Sequence, residues 1–390
     1  MDKQNRDSLL NDVNAFCSEL RPTEEICYVE HTFNDQLIPL CQKYHLLGIP
    51  IKEEYGGRGA DSLTYTRSLE RIGMEGTGVR TFFSGHTSIG QIPIQMWGSD
   101  NQKERYLPPS TRGDKILAFG LTEPDAGSNP LEMKMSYEFK NNRYVLNGVK
   151  YLISNAGIAH AIIAFAYPKN GVGRISSFIV DTDKEGFLKQ DLTTKLGMPT
   201  SNTALFELHD YPVPKENLLG NEGDGFKIAM STLMSGRLSV AAGCLGVIAD
   251  CLNEAVRYAK ERNQHGKPIA KHQLVQEHIA MMRTGLDAAR CLVYKAAYLK
   301  SKYDADPDNS KIRSVTDRMI AEAKFFAANA AWDAADRAVQ VFGGRGYSYL
   351  FRPGRHLQDV RVCRIYEGTD EIMKLKIASA VLGKEYEAFH

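Results

Sequence analysis

The apolar residues of the 390-residue chain change rhythm twice. Residues 1 to about 115 read as helices broken by turns. Leu47–Gly57, with Pro50 and the adjacent Gly56 and Gly57, is a loop that bends sharply between two of them. From about 116 to 215 the apolar runs shorten to strand length, as in Ile162–Tyr167, Ser176–Val180 and Ala204–Leu208. Asn147-Gly148 stands between two such runs in Tyr144–Ile153; both residues tolerate positive φ, so the pair predicts a hairpin. No amphipathic helix intervenes, which predicts an antiparallel sheet. From about 222 helical spacing returns. Val275, Ile279, Met282, Leu286, Ala289, Val293 and Ala296 form the apolar stripe of a long bundle helix. A second stripe, Ile320, Ala323, Ala327, Ala330, Ala334 and Val341, is rich in alanine and suits close helix approach; acidic Tyr303–Asp308 lies in the solvated turn between the two. The expected fold is α+β and mostly α: an N-terminal helical domain over 1–115, a middle antiparallel β domain over 116–221, and a C-terminal four-helix bundle over 222–390.

Charge removes some functions from this picture. Lys plus Arg (48) and Asp plus Glu (47) nearly cancel, so no global field draws the chain to nucleic acid or an anionic membrane. The seven cysteines are scattered without a Cys-x-x-Cys pair, which argues against a disulfide framework or zinc site and suits a reducing cytosol. The ten histidines show no metal-ligand spacing, and His272 and His278 read as structural or surface residues. Neither a signal peptide nor an apolar run long enough to span a bilayer is evident. The expectation is a soluble cytoplasmic protein without metal. Gly343-Gly-Arg-Gly346 superficially resembles a dinucleotide loop, but it follows a helix rather than a strand and lacks βαβ context.

Two segments carry candidate chemistry. Phe119–Pro130 follows a strand and bends at Pro124 and Gly127, with Thr122 and Ser128 hydroxyls beside backbone N–H groups. Such a loop can hold the polar edge of a planar cofactor or a phosphate, or be an Asx-type surface turn. Glu367, before Gly368-Thr369, reads on its own as an acid favoured by a helix N-terminus.

The order of the motifs resolves both. Thr122-Glu-Pro-Asp-Ala-Gly-Ser128 resembles the flavin-binding signature of the acyl-CoA dehydrogenases. The family's order continues through Tyr55-Gly-Gly57, Asn147-Gly-Val-Lys150, Leu218–Phe226 leading into Gly236-Arg237, Arg262–Ile269, Gln340–Gly344 and Ile365-Tyr-Glu-Gly-Thr-Asp-Glu371.

The resemblance implies bound FAD. Leu121 and Thr122 would lie near the isoalloxazine, Leu152 where a Trp usually covers the flavin, Ser154 near flavin N5 and Ser128 toward the pyrophosphate, with Phe119 and Gly127 also among the cofactor contacts. Arg262, Gln264, Gln273, Gln340, Gly343 and Gly344 match positions that grip the diphosphate and adenine across a subunit interface, which implies a homotetramer. Thr369 and Glu371 would close the cofactor site, while Ser128, Arg237 and Gly368 match substrate contacts. Glu367 matches the base that removes the α-proton as a hydride leaves the β-carbon for flavin N5, with an electron-transfer flavoprotein as the usual acceptor.

The substrate implied is an acyl-CoA or, alternatively, an acyl group on a carrier protein. Same-fold flavin oxidases place an Asp at the base position, and nucleic-acid-binding relatives need a basic face. Leu152, His265 and Met234 replace the family's usual Trp, Phe and Asp. Gly236 stands where some relatives place the base. Arg80, within Gly78–Ser84, matches an arginine of glutaryl-CoA dehydrogenases that pairs with a distal carboxylate. Read without the resemblance, Arg80 sits on a solvated helix face or pairs with Glu75.

Overall fold

The computed structural model describes residues 1–386 and 388; the last positions of the third expected domain (387, 389 and 390) lie outside the described residues. Six helices come first: α1 (Lys3–Glu30), α2 (Leu37–Lys43), α3 (Ser62–Gly73), α4 (Thr77–Phe83), α5 (Ile92–Trp97) and α6 (Asp100–Arg112). Their core gathers Leu9, Phe16, Leu20, Leu69, Phe82 and Phe83. Between α4 and α5 the backbone widens into a buried π-helical stretch, Ser84–Gln91, a form that recurs at functional sites. His86 pins it: Nδ1 accepts from the Leu117 N–H at 3.0 Å and Nε2 bonds the Ser110 carbonyl at 3.1 Å. Burial holds this imidazole neutral, its pKa pushed down to about 4.

Eight strands follow: β1 (Leu117–Gly120), β2 (Ser136–Lys140), β3 (Arg143–Ser154), β4 (Ala161–Pro168), β5 (Ser176–Asp181), β6 (Phe187–Asp191), β7 (Thr203–Pro214) and β8 (Leu218–Leu219). They form one sheet in the order β6-β7-β3-β2-β4-β5-β8, with β1 beside β4. The sheet is antiparallel as expected except around β4, which runs parallel to both β1 and β2. The long 121–135 loop, with one 3₁₀ turn at Pro130–Glu132, and the β2–β3 hairpin return the chain in the same direction without an α-helix.

The expected hairpin at Asn147-Gly148 is not there. β3 runs straight through it, and the turn lies at Asn141-Asn142, both with positive φ (52° and 59°). Asn147-Gly148 instead marks a register shift against β7, where a Cβ on Gly148 would come within 2.7 Å of the Met135 backbone. Both sites needed left-handed or side-chain-free backbone, and composition cannot tell a turn from a bulge.

The C-terminal region contains α7 (Gly225–Glu261), the short hairpin β9 (Asn263–Gln264) and β10 (Lys267–Pro268), α8 (Gln273–Ala305), α9 (Ser310–Phe342), α10 (Arg352–Val360) and α11 (Asp370–Leu382). The three long helices pack on one another and the two short ones on α9. Both expected stripes face this core, through Met282, Leu286, Ala289, Val293, Ile320, Ala323 and Ala327. The absence of a membrane-length apolar run needs correction: α7 is long and apolar enough by composition. Its most apolar window is 94% buried inside the protein, so that character serves the core.

Buried polar ties join the three regions. Gln102 of α6 donates to the carbonyls of Glu216 and Leu218, both at 2.7 Å. Asp250 of α7 receives Arg352 Nε at 2.7 Å and bonds His356 Nε2 at 2.8 Å, and despite burial the Arg352 guanidinium and the His356 hydrogen bond hold its carboxyl far below its usual range. Tyr28 of α1 donates to Asp359 of α10 at 2.8 Å.

Candidate active site

Glu367 lies in the short segment between a 3₁₀ turn (Arg361–Arg364) and α11. Its φ is +56° and that of Gly368 is +94°, so two successive residues are left-handed. A non-glycine residue there is strained and needs support from its surroundings. Two buried cations supply it. Arg237 Nε of α7 donates to the Glu367 carbonyl at 3.0 Å, and Lys324 Nζ of α9 donates to the Gly368 carbonyl at 2.6 Å. Asp370 at the start of α11 receives Arg364 at 2.8 Å and Asn329 at 3.0 Å, while Thr369 caps the helix by accepting from the Ile372 N–H.

The Glu367 carboxyl is thereby delivered against α7 at Gly236. A Cβ on Gly236 would stand 2.4 Å from Glu367 Oε2, so a side chain at 236 and this carboxyl position exclude each other. Oε2 is shielded from solvent and has no hydrogen-bond partner among the described residues. Burial pushes the pKa up to about 7, opposed by Arg237, Arg80 and Lys324. The Glu367 backbone N–H has no acceptor among the described residues.

Arg80 is 1% exposed, which overturns the solvated-face reading. Glu75 is taken by Arg21 at 2.7 Å and Arg71 at 2.5 Å. Arg80 instead lies against Gly243 of α7, with its guanidinium 5.4 Å from the centre of the Tyr366 ring. Nη2 donates to the Tyr366 hydroxyl, and Nε has no partner among the described residues. Among the described residues no carboxylate forms an ion pair with it.

The 121–135 loop is fixed from beneath. Lys150 of β3, fully buried, donates to Glu123 at 2.8 Å and to the Leu121 carbonyl at 3.1 Å. Glu123 also accepts the backbone N–H groups of Lys134 and Met135 at 2.5 and 3.0 Å. Burial lowers the Lys150 pKa to about 8 against the pull of Glu123. The Tyr151 N–H reaches the Thr122 carbonyl at 2.9 Å, which sets Leu121 and Thr122 beside the end of β3. A bulge there turns Leu152 outward at φ +58°, leaving it 52% exposed, while Ser154 stays half-buried. Phe119 packs beneath, its ring 4.9 Å from Phe165. Gly127 faces open space, and the N–H groups of the exposed Gly127 and Ser128 have no partner among the described residues. An exposed apolar shelf edged by hydroxyls and free amides fits a flat heteroaromatic ring with a polar rim and a phosphate tail.

The remaining expected cofactor residues are elsewhere. Arg262, Gln264, Gln273, Gln340, Gly343 and Gly344 are all exposed and cluster where α7 ends, α8 begins and α9 ends. From Arg237 to Arg262 the helix climbs roughly 38 Å at 1.5 Å per residue. One chain thus separates the two halves of the expected set. His265, with Gly266, makes the positive-φ turn of the β9–β10 hairpin, and Met234 is buried in the bundle core. Sequence reading missed Lys324 and the Glu123–Lys150 pair as supports. For Lys324 the available signal was a lysine set within the alanine-rich stripe of α9.

A cleft of about 640 Å³ opens between α3, α5, α7 and the α8–α9 turn, and its lining includes neither Gly236 nor Glu367. Tyr65, Thr66, Leu69, Ser235, Leu238 and Ser239 line its interior.

Comparison with known proteins places this geometry. Models of the acyl-CoA dehydrogenase N-terminal, middle and C-terminal domains match residues 3–114, 118–211 and 223–382. An acyl-CoA dehydrogenase of Bacillus subtilis is 41% identical over 94% of this chain and 94% of its own length. A short-chain-specific acyl-CoA dehydrogenase of Clostridium acetobutylicum is 37% identical over 95% and 94%. Butyryl-CoA dehydrogenase of Megasphaera elsdenii superposes with a TM-score of 0.91 at 35% identity, covering 98% of this chain and 100% of that one. A chain in the structure of the electron transferring flavoprotein of Acidaminococcus fermentans matches equally, at 0.91 and 37%, over 98% and 100%. An acyl-CoA dehydrogenase of Bacillus anthracis complexed with FAD gives 0.91 at 30%, over 99% and 68%. The chain belongs to the acyl-CoA dehydrogenase family of FAD-dependent oxidoreductases.

Proposed function

We propose that this chain introduces a double bond between Cα and Cβ of a short acyl-CoA, with Glu367 as the group that takes the α-proton. The observation that carries the reading is the Glu367 carboxyl: buried against Gly236, unpartnered at Oε2 among the described residues, and poised near neutrality. A base for a carbon-bound proton needs that tuning. Arg237 and Lys324 hold the carbonyls of 367 and 368, and the Glu367 N–H has no acceptor among the described residues. That N–H is available to donate to the thioester oxygen as enolate-like charge develops. FAD, when bound on the shelf of Leu121, Thr122, Leu152 and Ser154, supplies the redox chemistry. Short-chain substrates are supported by the names of the similar enzymes from C. acetobutylicum and M. elsdenii, and an electron-transferring flavoprotein as acceptor by the A. fermentans structure. The split of the cofactor residues across the bundle supports a homo-oligomer, a tetramer by family resemblance, in which one subunit's Arg262, Gln264, Gln273 and Gln340–Gly344 complete a neighbour's site. Glu367→Gln tests the base. It is expected to keep FAD and to bind butyryl-CoA, yet fail to bleach the flavin under nitrogen. Bleaching at near wild-type rate would move the base elsewhere.

A second reading rests on Arg80. A buried guanidinium without an ionic partner near the base favours a thioester with a distal carboxylate. It predicts that glutaryl-CoA is preferred over hexanoyl-CoA and that Arg80→Met removes the preference. An unchanged preference in the variant returns Arg80 to a role in holding Tyr366.

A further inference from the structure

Two buried cations near the base have no carboxylate to balance them. Arg80 of α4 and Lys324 of α9 are both buried, and among the described residues neither forms an ion pair with Asp or Glu. The acids of this region are taken: Asp317 by Arg237 and Lys376, and Asp370 by Arg364. Burying two charges uncompensated is costly, so an anion is expected within reach of them.

Cys363 is placed to be that anion. It lies buried in the 3₁₀ turn Arg361–Arg364, with Sγ 3.4 Å from the Tyr366 hydroxyl. That hydroxyl already accepts from Arg80 Nη2, so its one proton is left to donate. The sulfur contact is of ordinary length, whereas the other candidate acceptor, Thr81 Oγ1 at 3.5 Å, is long for oxygen. Cys244 of α7, next to the Gly243 on which Arg80 lies, gives Cys363 a second hydrogen bond. The acids that bear on Arg80 are Tyr366, Cys363 and Cys244. Burial drives Tyr366 toward its neutral form, and the hydrogen bond to Cys363 together with burial does the same for Cys244. Cys363 goes the other way. The Cys244 hydrogen bond, Arg80, the Tyr366 hydroxyl and Lys324 favour its thiolate against burial. Asp359 of α10 also faces Cys363, but it is engaged by Tyr28 and the Met198 N–H.

We propose that Cys363 is a positioning residue for the base: a buried thiolate that neutralises Arg80 and Lys324, so that these cations do not weaken Glu367 as a proton acceptor. The cations that act on Glu367 are Arg237, Arg80 and Lys324, and the thiolate faces two of the three. Without its charge, both hold the Glu367 carboxylate more firmly and lower its affinity for a carbon-bound proton. The effect on rate rests on the reading of Glu367 as the α-proton base; the charge state of Cys363 does not.

The test reads the two separately. FAD-loaded protein, kept reduced with a phosphine, is titrated through the neutral range by its ultraviolet thiolate absorbance. The wild type is expected to show one thiolate at neutral pH that Cys363→Ser lacks. Arg80→Met should move the appearance of that thiolate to higher pH, a measurement that stands even where the serine variant does not fold. In stopped flow with butyryl-CoA, Cys363→Ser should keep its FAD and lower the pH midpoint of flavin reduction by about one unit. Cys363→Asp should return the midpoint toward wild type. A merely structural role slows the reaction or loosens FAD without moving the midpoint. A neutral thiol in the wild type at neutral pH, or a Cys363→Ser midpoint equal to wild type, overturns the proposal. The first of these also leaves Arg80 without an anion, as its second reading requires. Failure of the base reading shows differently: Glu367→Gln then bleaches its flavin while the thiolate absorbance is unchanged.

Discussion

At the scale of single residues, Glu367 concentrates strain, burial and charge. Its carboxyl is raised to about 7 from an ordinary 4.5. The proposed reaction needs the ionised form, so flavin reduction should rise with pH through a midpoint near 7, measured by stopped flow across pH 5.5–8.5 on the order of one-unit steps. The stability consequence has the opposite sense. A carboxyl with a folded-state pKa above its unfolded value contributes stability that is fully present below about 4.5 and lost as pH rises through 7. The loss is on the order of 3 kcal/mol. Glu367→Gln removes it, so the variant should melt above wild type at pH 8, and the gap should close toward pH 4.5. Gly236 offers a second test. Gly236→Ala places a methyl within 2.4 Å of Oε2 and must displace the carboxyl. Flavin reduction should fall by about 10²-fold with FAD retained, because displacement of a reacting group by about an ångström costs that much. A near wild-type rate would show that the carboxyl works from another position.

Among the elements, the 121–135 loop depends on a buried ion pair. Lys150→Met leaves Glu123 buried beside an apolar group, which should cost about 3–5 kcal/mol. Paired with Glu123→Gln, most of that cost should be recovered. Thermal melts of the single and double variants measure the first effect, and FAD retention on dilution measures the loosening of the shelf. Equal melting of single and double variants would show that the pair is not coupled. The sheet also shows why some turns are legible and others are not. Asn147-Gly148 and Asn141-Asn142 have the same local chemistry. Which one reverses the chain is decided by which apolar residues face the sheet core, and Tyr144, Leu146 and Ile153 all do so from one continuous strand.

Over the whole molecule, the exposed apolar side chains Leu274 (80%), Tyr347 (93%) and Leu350 (62%) lie among or near the separated cofactor residues. Such surface is what a subunit contact covers. If neighbouring chains complete each other's sites, two defective chains should rescue one another. Glu367→Gln and Arg262→Ala co-expressed should give flavin reduction per chain well above either alone, since some mixed sites take their base from one chain and their cofactor end from the other. A monodisperse monomer that holds a full complement of FAD would end the shared-site reading.

The sequence by itself determined what local chemistry can specify. The period of the apolar stripes set the long helices α8 and α9, the Pro and Gly residues set the sharp loops, and the ordered motifs set the family to which Glu367 belongs. Only the tertiary structure decided the rest. It placed Arg80 under Tyr366 rather than beside Glu75, seated the Glu367 carboxyl on Gly236, enlisted Lys324 and Lys150 as buried supports, and brought Cys363 to the Tyr366 hydroxyl. Each of these depends on what another element brings into contact, and burial acts on pKa and on hydrogen bonding only after distant segments have packed.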